Sequence, residues 1–318
     1  MTAPRITSAR IEEAARAIDP VFLRSPQYRA EALDEALGCR LVVKVETANP
    51  IRSFKGRGAD WLVRSSVGPE ERLVCASAGN FGQAMAYACR ARGIALTVFA
   101  SVHASPLKVA RMRALGADVR QEGDDFDAAK AVAGAHAAAS GARMVVDSLD
   151  VATAEGAGTI GLELLAWPEP LDAIVVPLGN GAMLAGIARY VKDHAPTTRI
   201  VAVCAERAPA MARSFDEGRI VETATADTIA DGIAVRVPVP EAVADMAGVV
   251  DEVLLVSEDA LVEAMRLAHR GLGLVLEPAG ATGLAAIQAA PGRFAGQLVA
   301  TVLCGSNLTD EQLGAWLG

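Results

Sequence analysis

The chain predicts an α/β fold built on mostly parallel strands, and three observations carry that expectation. Apolar runs of strand length alternate with stretches of helical period, the βαβ signature of parallel sheets. Its 318 residues are 52% hydrophobic and only 4% aromatic, the Ala/Val/Leu-rich make-up of buried helices and of strands covered on both faces. Proline and glycine mark where several helices should start and stop, as at Pro106, Gly93 and Gly116.

In chain order, the apolar runs Leu41–Val45, Leu73–Ala76, Leu96–Ala100, Met144–Val146, Ala173–Val176, Ile200–Cys204 and Val299–Leu303 read as strands. A helix is expected from Phe81 to Arg92, with Gly93 behind it. The next runs over Leu107–Leu115, where Ser105 serves as N-cap, Pro106 occupies the first turn and Gly116 supplies the stop. Another spans Ala182–Lys192. The length suits about two domains. With no repeat, low-complexity segment or linker, they are expected to interleave, residues 51–143 forming a small domain inserted between the two pieces, 1–50 and 144–318, of a large one.

Charge and cysteine usage exclude several functions. A net charge of −8 leaves no basic surface to neutralise nucleic-acid phosphates. The start, Met1-Thr2-Ala3-Pro4-Arg5-Ile6, has no apolar leader core, and no stretch reaches the roughly 18 uninterrupted apolar residues of a membrane span, so a cytoplasmic protein is expected. Cys39, Cys75, Cys89, Cys204 and Cys304 are odd in number, widely spaced and without a CxxC pair, and read as small buried hydrophobes. The four histidines lie in separate segments with no ligand at metal spacing.

Lysine is scarce. Lys44, Lys55, Lys108, Lys130 and Lys192 stand against twenty-five arginines, and Lys55 sits in Ser53-Phe54-Lys55-Gly56-Arg57-Gly58-Ala59. Where arginine serves almost wherever a cation suffices, a retained lysine suggests a task arginine cannot do: losing a proton and attacking a carbonyl carbon to form a Schiff base. A solvated surface charge is the plain alternative.

Three small-residue turns follow strands. After the strand ending at Pro177, Leu178-Gly179-Asn180-Gly181-Ala182-Met183 leads into a helix, so consecutive backbone N–H groups meet a helix N-terminus, as in a phosphate site. A dinucleotide loop is the competing reading. It lacks its third glycine, since Leu184 holds that place, and it leaves Ser53 to Ala59 unexplained. Ser77-Ala78-Gly79-Asn80 could hold a carboxylate or a phenolic oxygen, or simply cap a helix. Cys304-Gly305-Ser306-Asn307 puts a thiol at the carboxyl edge of the last strand, where α/β sheets bind ligands.

In their order and spacing these motifs, with Ala230-Asp231-Gly232-Ile233-Ala234 and Glu277-Pro278-Ala279-Gly280-Ala281, resemble the fold-type II pyridoxal-phosphate enzymes, specifically the serine/threonine dehydratase and serine racemase group. The resemblance runs from Arg24-Ser25-Pro26 to Asn307. It implies a two-domain, tryptophan synthase β-like fold, each domain a mostly parallel sheet flanked by helices. It further implies pyridoxal 5′-phosphate joined to Lys55, with Phe54 beside it, Asn80 on its phenolic oxygen, Gly179, Asn180, Gly181, Ala182 and Met183 around its phosphate, Glu277 beside its ring and Cys304 at its ring nitrogen. Ser77 and the amides of Ala78, Gly79 and Asn80 would receive the substrate carboxylate. A neutral thiol at the ring nitrogen makes a moderate electron sink, which suits elimination. Lys55 would then remove the α-proton of a β-hydroxy amino acid such as threonine or serine, the β-hydroxyl would leave, and a 2-oxo acid and ammonia would be released. β-Replacement or threonine-synthase-like chemistry in the same fold, and a cofactor-binding regulator without turnover, are the alternatives.

Departures from the family pattern sharpen this reading. Ala78 replaces the serine that resembling racemases use to return a proton, and a methyl group exchanges none, which disfavours racemisation. Phe81 stands where many relatives have histidine. Ala212 replaces the aspartate that would join Glu206 around a divalent cation, so no metal is expected. Val146-Asp147-Ser148-Leu149-Asp150 lacks the His-Pro-Phe-Asp-Asp-like wording of threonine dehydratases, which bears on the substrate side chain. The chain's end at Gly318 suggests no appended regulatory domain. A homodimer is expected from the family, with Leu261–Leu274 read as an exposed apolar helix that could support it.

Overall fold

The computed structural model describes residues 4–318. Among the described residues, ten strands are arranged in two sheets. The six-stranded sheet has the order β1 (Gln27–Arg29), β2 (Arg40–Val45), β10 (Leu298–Leu303), β7 (Ala173–Pro177), β8 (Arg199–Ala205), β9 (Glu252–Val256). Only β1 runs antiparallel. The four-stranded sheet is wholly parallel, in the order β5 (Asp118–Gln121), β4 (Ala95–Ala100), β3 (Arg72–Ala76), β6 (Arg143–Val145). The mixed α/β class with mostly parallel sheets is therefore as the periodicity required. Residues 1–3, at the start of the expected large domain, lie outside the described residues, and the expected boundary at 143/144 falls within β6.

The helices are α1 (Ser8–Ala17), α2 (Asp34–Leu37), α3 (Lys55–Ser66), α4 (Asn80–Arg90), α5 (Pro106–Ala114), α6 (Phe126–Ser140), α7 (Val151–Leu164), α8 (Ala182–His194), α9 (Ala210–Glu217), α10 (Pro240–Met246), α11 (Glu258–Leu272), α12 (Pro278–Ala289) and α13 (Asp310–Leu317). They cover the sheets because the strands beneath are apolar on both faces: every residue of β7 and β10 is buried. One core joins β2, β7, β8 and β10 to α11 and α12, and a separate one lies under α3, α4 and β3–β5.

The strands that sequence periodicity missed are edge strands. β5 buries only Val119, β9 only Val256, and β1 has three residues, none of them buried, so little apolar alternation marks them. Two expectations need correction. Ser105 stands at the N-cap of α5, yet its side chain caps nothing, and its Oγ is buried without a partner. The helix read as exposed over Leu261–Leu274 buries its apolar face instead: Leu261, Ala264, Met265 and Ala268 pack into the main core beside α12. Its period of 3.6 described a core-facing stripe, not an unpartnered one.

Candidate active site

The carboxyl ends of β3, β7 and β10 open onto one cavity of about 800 Å³ between the two sheets, the position where open α/β sheets take ligands. Each strand delivers one of the three turns read from the sequence. The Schiff-base candidate arrives from a fourth direction, at the start of α3.

Lys55 is the first residue of α3, its backbone N–H donating to Ser53 Oγ at 3.3 Å. Two residues on, Arg57 is fully buried and donates to Glu46 from Nε and Nη2, and to Glu163 from Nη1 and Nη2, at 2.8–2.9 Å. Lys44 completes the cluster, 2.6 Å from Glu163. Burial works against the Arg57 cation, but the two carboxylates outweigh it and hold its pKa above the usual guanidinium value. Burial likewise works to raise the carboxyl of Glu163, but the bonds from Arg57 hold it below its usual range. The network pins the α3 start against β2 and α7. The chain before α3 is stitched to the β10 turn: Phe54 N–H donates to Cys304 O at 3.0 Å, and Ser306 N–H to Arg52 O at 3.0 Å. So the lysine and the thiol, 249 residues apart in sequence, are held by backbone bonds. Lys55 Nζ donates to Asp147 Oδ2 at 2.5 Å and lies 4.6 Å from the Phe54 ring centroid.

In the β7 turn, Gly181 has φ +96°, a left-handed conformation that favours glycine, and it opens α8. The N–H groups of Gly179, Asn180 and Gly181 donate to no protein group among the described residues, which leaves donors at a helix N-terminus aimed into the cavity. Ala182 departs from the expected cradle: its N–H donates to Ser148 Oγ at 3.2 Å. Met183 lines the cavity while packing into the core beneath it.

In the β3 turn, Ser77 Oγ accepts from the N–H of Gly79 at 3.1 Å and of Gly82 at 2.9 Å. The Gly79 amide, expected to meet a carboxylate, is therefore used within the turn, while the hydroxyl hydrogen of Ser77 and the amides of Ala78 and Asn80 remain. Asn80 Nδ2 donates to Glu277 Oε1 at 2.6 Å, and its Oδ1 accepts from Asn307 Nδ2 at 2.8 Å. One Nδ2 hydrogen of Asn80 is left for a ligand oxygen.

Glu277 accepts a second bond from the Asn307 backbone N–H at 3.0 Å. Burial pushes its carboxyl up to about 7, although Lys108 pulls the other way. Gly305 permits this approach, because a Cβ there would lie 2.1 Å from Glu277 Oε1. The Cys304 thiol is buried, lines the cavity and donates to Ala279 O at 3.6 Å. Burial, with Glu277 adding to it, raises its pKa far enough to keep it a neutral thiol.

Every residue to which the resemblance gave a cofactor or substrate contact lines this cavity. Four further residues shape the site: Asp147, on Lys55; Lys108, paired with Asp231 at 2.5 Å across the cavity mouth; Ser148, on the β7 turn; and Asn307, between Asn80 and Glu277. The scarcity of lysine that singled out Lys55 was also a signal for two others. Lys44 and Lys108 are both buried in ion pairs.

Comparison with known proteins gives the family of the chain. The family described as pyridoxal-phosphate dependent enzyme matches residues 18–305. An L-threonine ammonia-lyase of Thermotoga maritima is 33% identical over 306 residues, covering 95% of this chain and 76% of that protein. The crystal structure of T.th. threonine deaminase superposes with a TM-score of 0.89 at 34% identity, over 95% of this chain and 99% of that one. Maize serine racemase superposes with a TM-score of 0.90 at 26% identity, over 98% and 96% of the two chains.

Proposed function

The chain belongs to the pyridoxal-phosphate dependent enzymes, and from that premise we propose that it converts a β-hydroxy amino acid, L-threonine or L-serine, to a 2-oxo acid and ammonia. The observation that carries the proposal is a primary amine, Lys55 Nζ, facing a cavity whose other walls hold a row of free N–H donors and a neutral thiol. These residues fit the cofactor. The amine suits an aldehyde carbon, the N–H groups of Gly179 to Gly181 at the head of α8 suit a phosphate, the remaining Nδ2 hydrogen of Asn80 suits a phenolic oxygen, and the thiol of Cys304 suits a ring nitrogen. Phe54 and Glu277 border the same space.

Bound there, the cofactor supplies an electron sink for the pair left behind when the α-carbon loses its proton. The protein supplies the rest. Ser77 O–H and the amides of Ala78 and Asn80 hold the substrate carboxylate, which orients the α-hydrogen toward Lys55. Lys55 Nζ takes that proton, and the network around Arg57 keeps the amine in place while it does so. Cys304, its one thiol hydrogen turned from Ala279 O toward the ring nitrogen, would be a neutral donor that leaves the sink moderate, which favours loss of the β-substituent over reprotonation. Ala78 offers no second proton donor, so elimination is preferred to racemisation.

Threonine ammonia-lyase and threonine deaminase among the similar proteins support this substrate class. The domain division, with 51–143 inserted between 1–50 and 144–318, belongs to the same proposal and is supported by the two separate sheets. So does a cytoplasmic setting, supported by five free cysteines, all buried. A homodimer rests on the family resemblance alone. Among the described residues no helix is long and apolar enough to cross a membrane.

The test is the absorption spectrum of purified protein with a coupled 2-oxo acid assay. We expect a band near ~420 nm that shifts on adding threonine or serine, with 2-oxo acid released. Lys55→Ala should lose the band and at least about 10³-fold in rate, and Lys55→Arg should not restore it. A protein that stays colourless with added cofactor would overturn the proposal.

A further inference from the structure

The turn after β6 places an unshared carboxylate oxygen beside the reacting amine. Asp147 Oδ2 accepts from Lys55 Nζ at 2.5 Å, while Asp147 Oδ1 is buried in the cavity wall with no hydrogen-bond partner. The residue as a whole is 9% exposed, so the orphaned oxygen is not simply solvated. Leaving a charged acceptor desolvated is costly, and such groups in a folded protein call for an explanation.

The placement of Asp147 is fixed from several sides. Its neighbour Ser148 has φ +72°, a left-handed conformation unfavourable for a non-glycine residue. That conformation is held by Ser148 N–H donating to Thr153 Oγ1 at 3.1 Å, by Ser148 Oγ accepting from Ala182 N–H at 3.2 Å, and by Val146 N–H donating to Asp150 Oδ2 at 2.8 Å. The last two bonds tie the turn to the head of α8 and to the start of α7. Backbone strain sustained in this way collects at functional sites. Here its effect is to present the Asp147 carboxylate to the cavity beside Lys55.

Distance then identifies what the free oxygen meets. A base that takes the α-proton must come within hydrogen-bond reach of the α-carbon's hydrogen, so a carboxylate 2.5 Å from that base is within reach of a substituent one bond further on, at the β-carbon. Resting on the lyase reading above, we propose that Asp147 determines specificity for the substrate's β-substituent: its Oδ1 accepts a hydrogen bond from a donor there, a hydroxyl or an ammonium, and its charge rejects an anionic substituent. The sequence departure at Val146–Asp150 thus marks a change in what is recognised rather than a lost site.

The test separates recognition from chemistry with two amino acids that have no α-hydrogen and cannot eliminate: α-methylserine and 2-aminoisobutyrate, which differ only by the β-hydroxyl. Equilibrium binding of both to the holoenzyme is measured by calorimetry, for the wild type and for Asp147→Ala and Asp147→Asn, with cofactor absorbance and thermal melting confirming that each variant is loaded and folded. A hydrogen bond to a charged group is worth about 1.5 kcal/mol or more, so the wild type should bind α-methylserine roughly ten-fold tighter. Asp147→Ala should bring that ratio to about one. Asp147→Asn, which keeps a neutral acceptor, should fall between. In parallel, kcat/KM for serine should drop in Asp147→Ala by at least as much as the binding ratio, while β-chloroalanine, whose leaving group donates nothing, should be affected less. A comparison of serine with 2,3-diaminopropionate shows whether hydroxyl or ammonium is the preferred donor, and O-phosphoserine should gain in Asp147→Asn.

An unchanged binding ratio in Asp147→Ala, or an equal loss for serine and β-chloroalanine, would overturn the assignment while leaving the lyase reading intact. Absence of 2-oxo acid from every substrate in the wild type would overturn both.

Discussion

Two sets of charges frame the cavity, and they are built differently. Beneath Lys55, Arg57 and Glu46 are fully buried, and Glu163 and Lys44 close the cluster with ion pairs at 2.6–2.8 Å. At the cavity mouth, Lys108 reaches Asp231, whose side chain is 61% exposed, and Arg236 reaches Asp127, with about a third of each side chain exposed. The buried set is costly to break because removing one partner strands the others without water. The mouth pairs are only partly open to water: Lys108 is itself buried and meets an exposed carboxylate, while Arg236 and Asp127 are each about a third exposed, and a solvent-exposed ion pair is worth about 0.2–1 kcal/mol. The reactive lysine therefore rests on the set of charges that is costlier to break.

The strongest way to break this comparison is Arg57→Met, which leaves Glu46 buried without its ion-pair partner and Glu163 with Lys44 alone. We expect a loss of about 3–5 kcal/mol in urea unfolding, with the Lys55 chemistry failing alongside. A loss under about 1 kcal/mol would put this network in the same class as the mouth.

Glu277 sits between the two sets, buried like the first but with Lys108 acting on it only at a distance. Its folded pKa, about 7, lies above the ordinary carboxyl value of 4.5. The folded protein therefore holds a proton that the unfolded chain has released, and this contribution is complete below about pH 4.5 and is lost as pH rises through about 7. Urea midpoints across that window should decline in the wild type, each tenfold difference in proton affinity between the folded and unfolded chain being worth about 1.4 kcal/mol, and the decline should be smaller in Glu277→Gln. An identical pH dependence in both would show that Lys108 neutralises Glu277 and that the mouth is electrostatically part of the foundation.

The smallest effect is expected at the mouth itself. A double-mutant cycle of Asp127→Asn with Arg236→Gln should give a coupling of about 0.2–1 kcal/mol, reduced further by salt. A coupling above about 2 kcal/mol would mean that this pair is as integral as Arg57.

Much of the fold was legible because it rests on local pattern. The buried strands β2, β3, β4, β7, β8 and β10 are predominantly apolar, and α5 and α8 begin where proline or glycine dictates. The edge strands β1, β5 and β9 were not legible, since an edge is half in solvent and its residues need no apolar period. The amphipathic pattern of α11 showed that one face is apolar, but only packing showed that α12 already covers it.

The same division holds at the site. Sequence determined which chemical parts exist: a lysine retained where arginine is the rule, small-residue turns placed just past buried strands, a thiol at the end of the last one. Those follow from residue type and from neighbours a few positions away, which sequence states directly. Tertiary structure decided which parts meet. It brought Asp147 to Lys55 across 92 residues, Asn307 to Asn80 across 227 and Lys108 to Asp231 across 123, and it committed the amides of Gly79 and Ala182 to neighbouring hydroxyls. Hydrogen bonds and ion pairs act over a few ångströms in space, so a chain read one residue at a time names the partners without saying which are in reach.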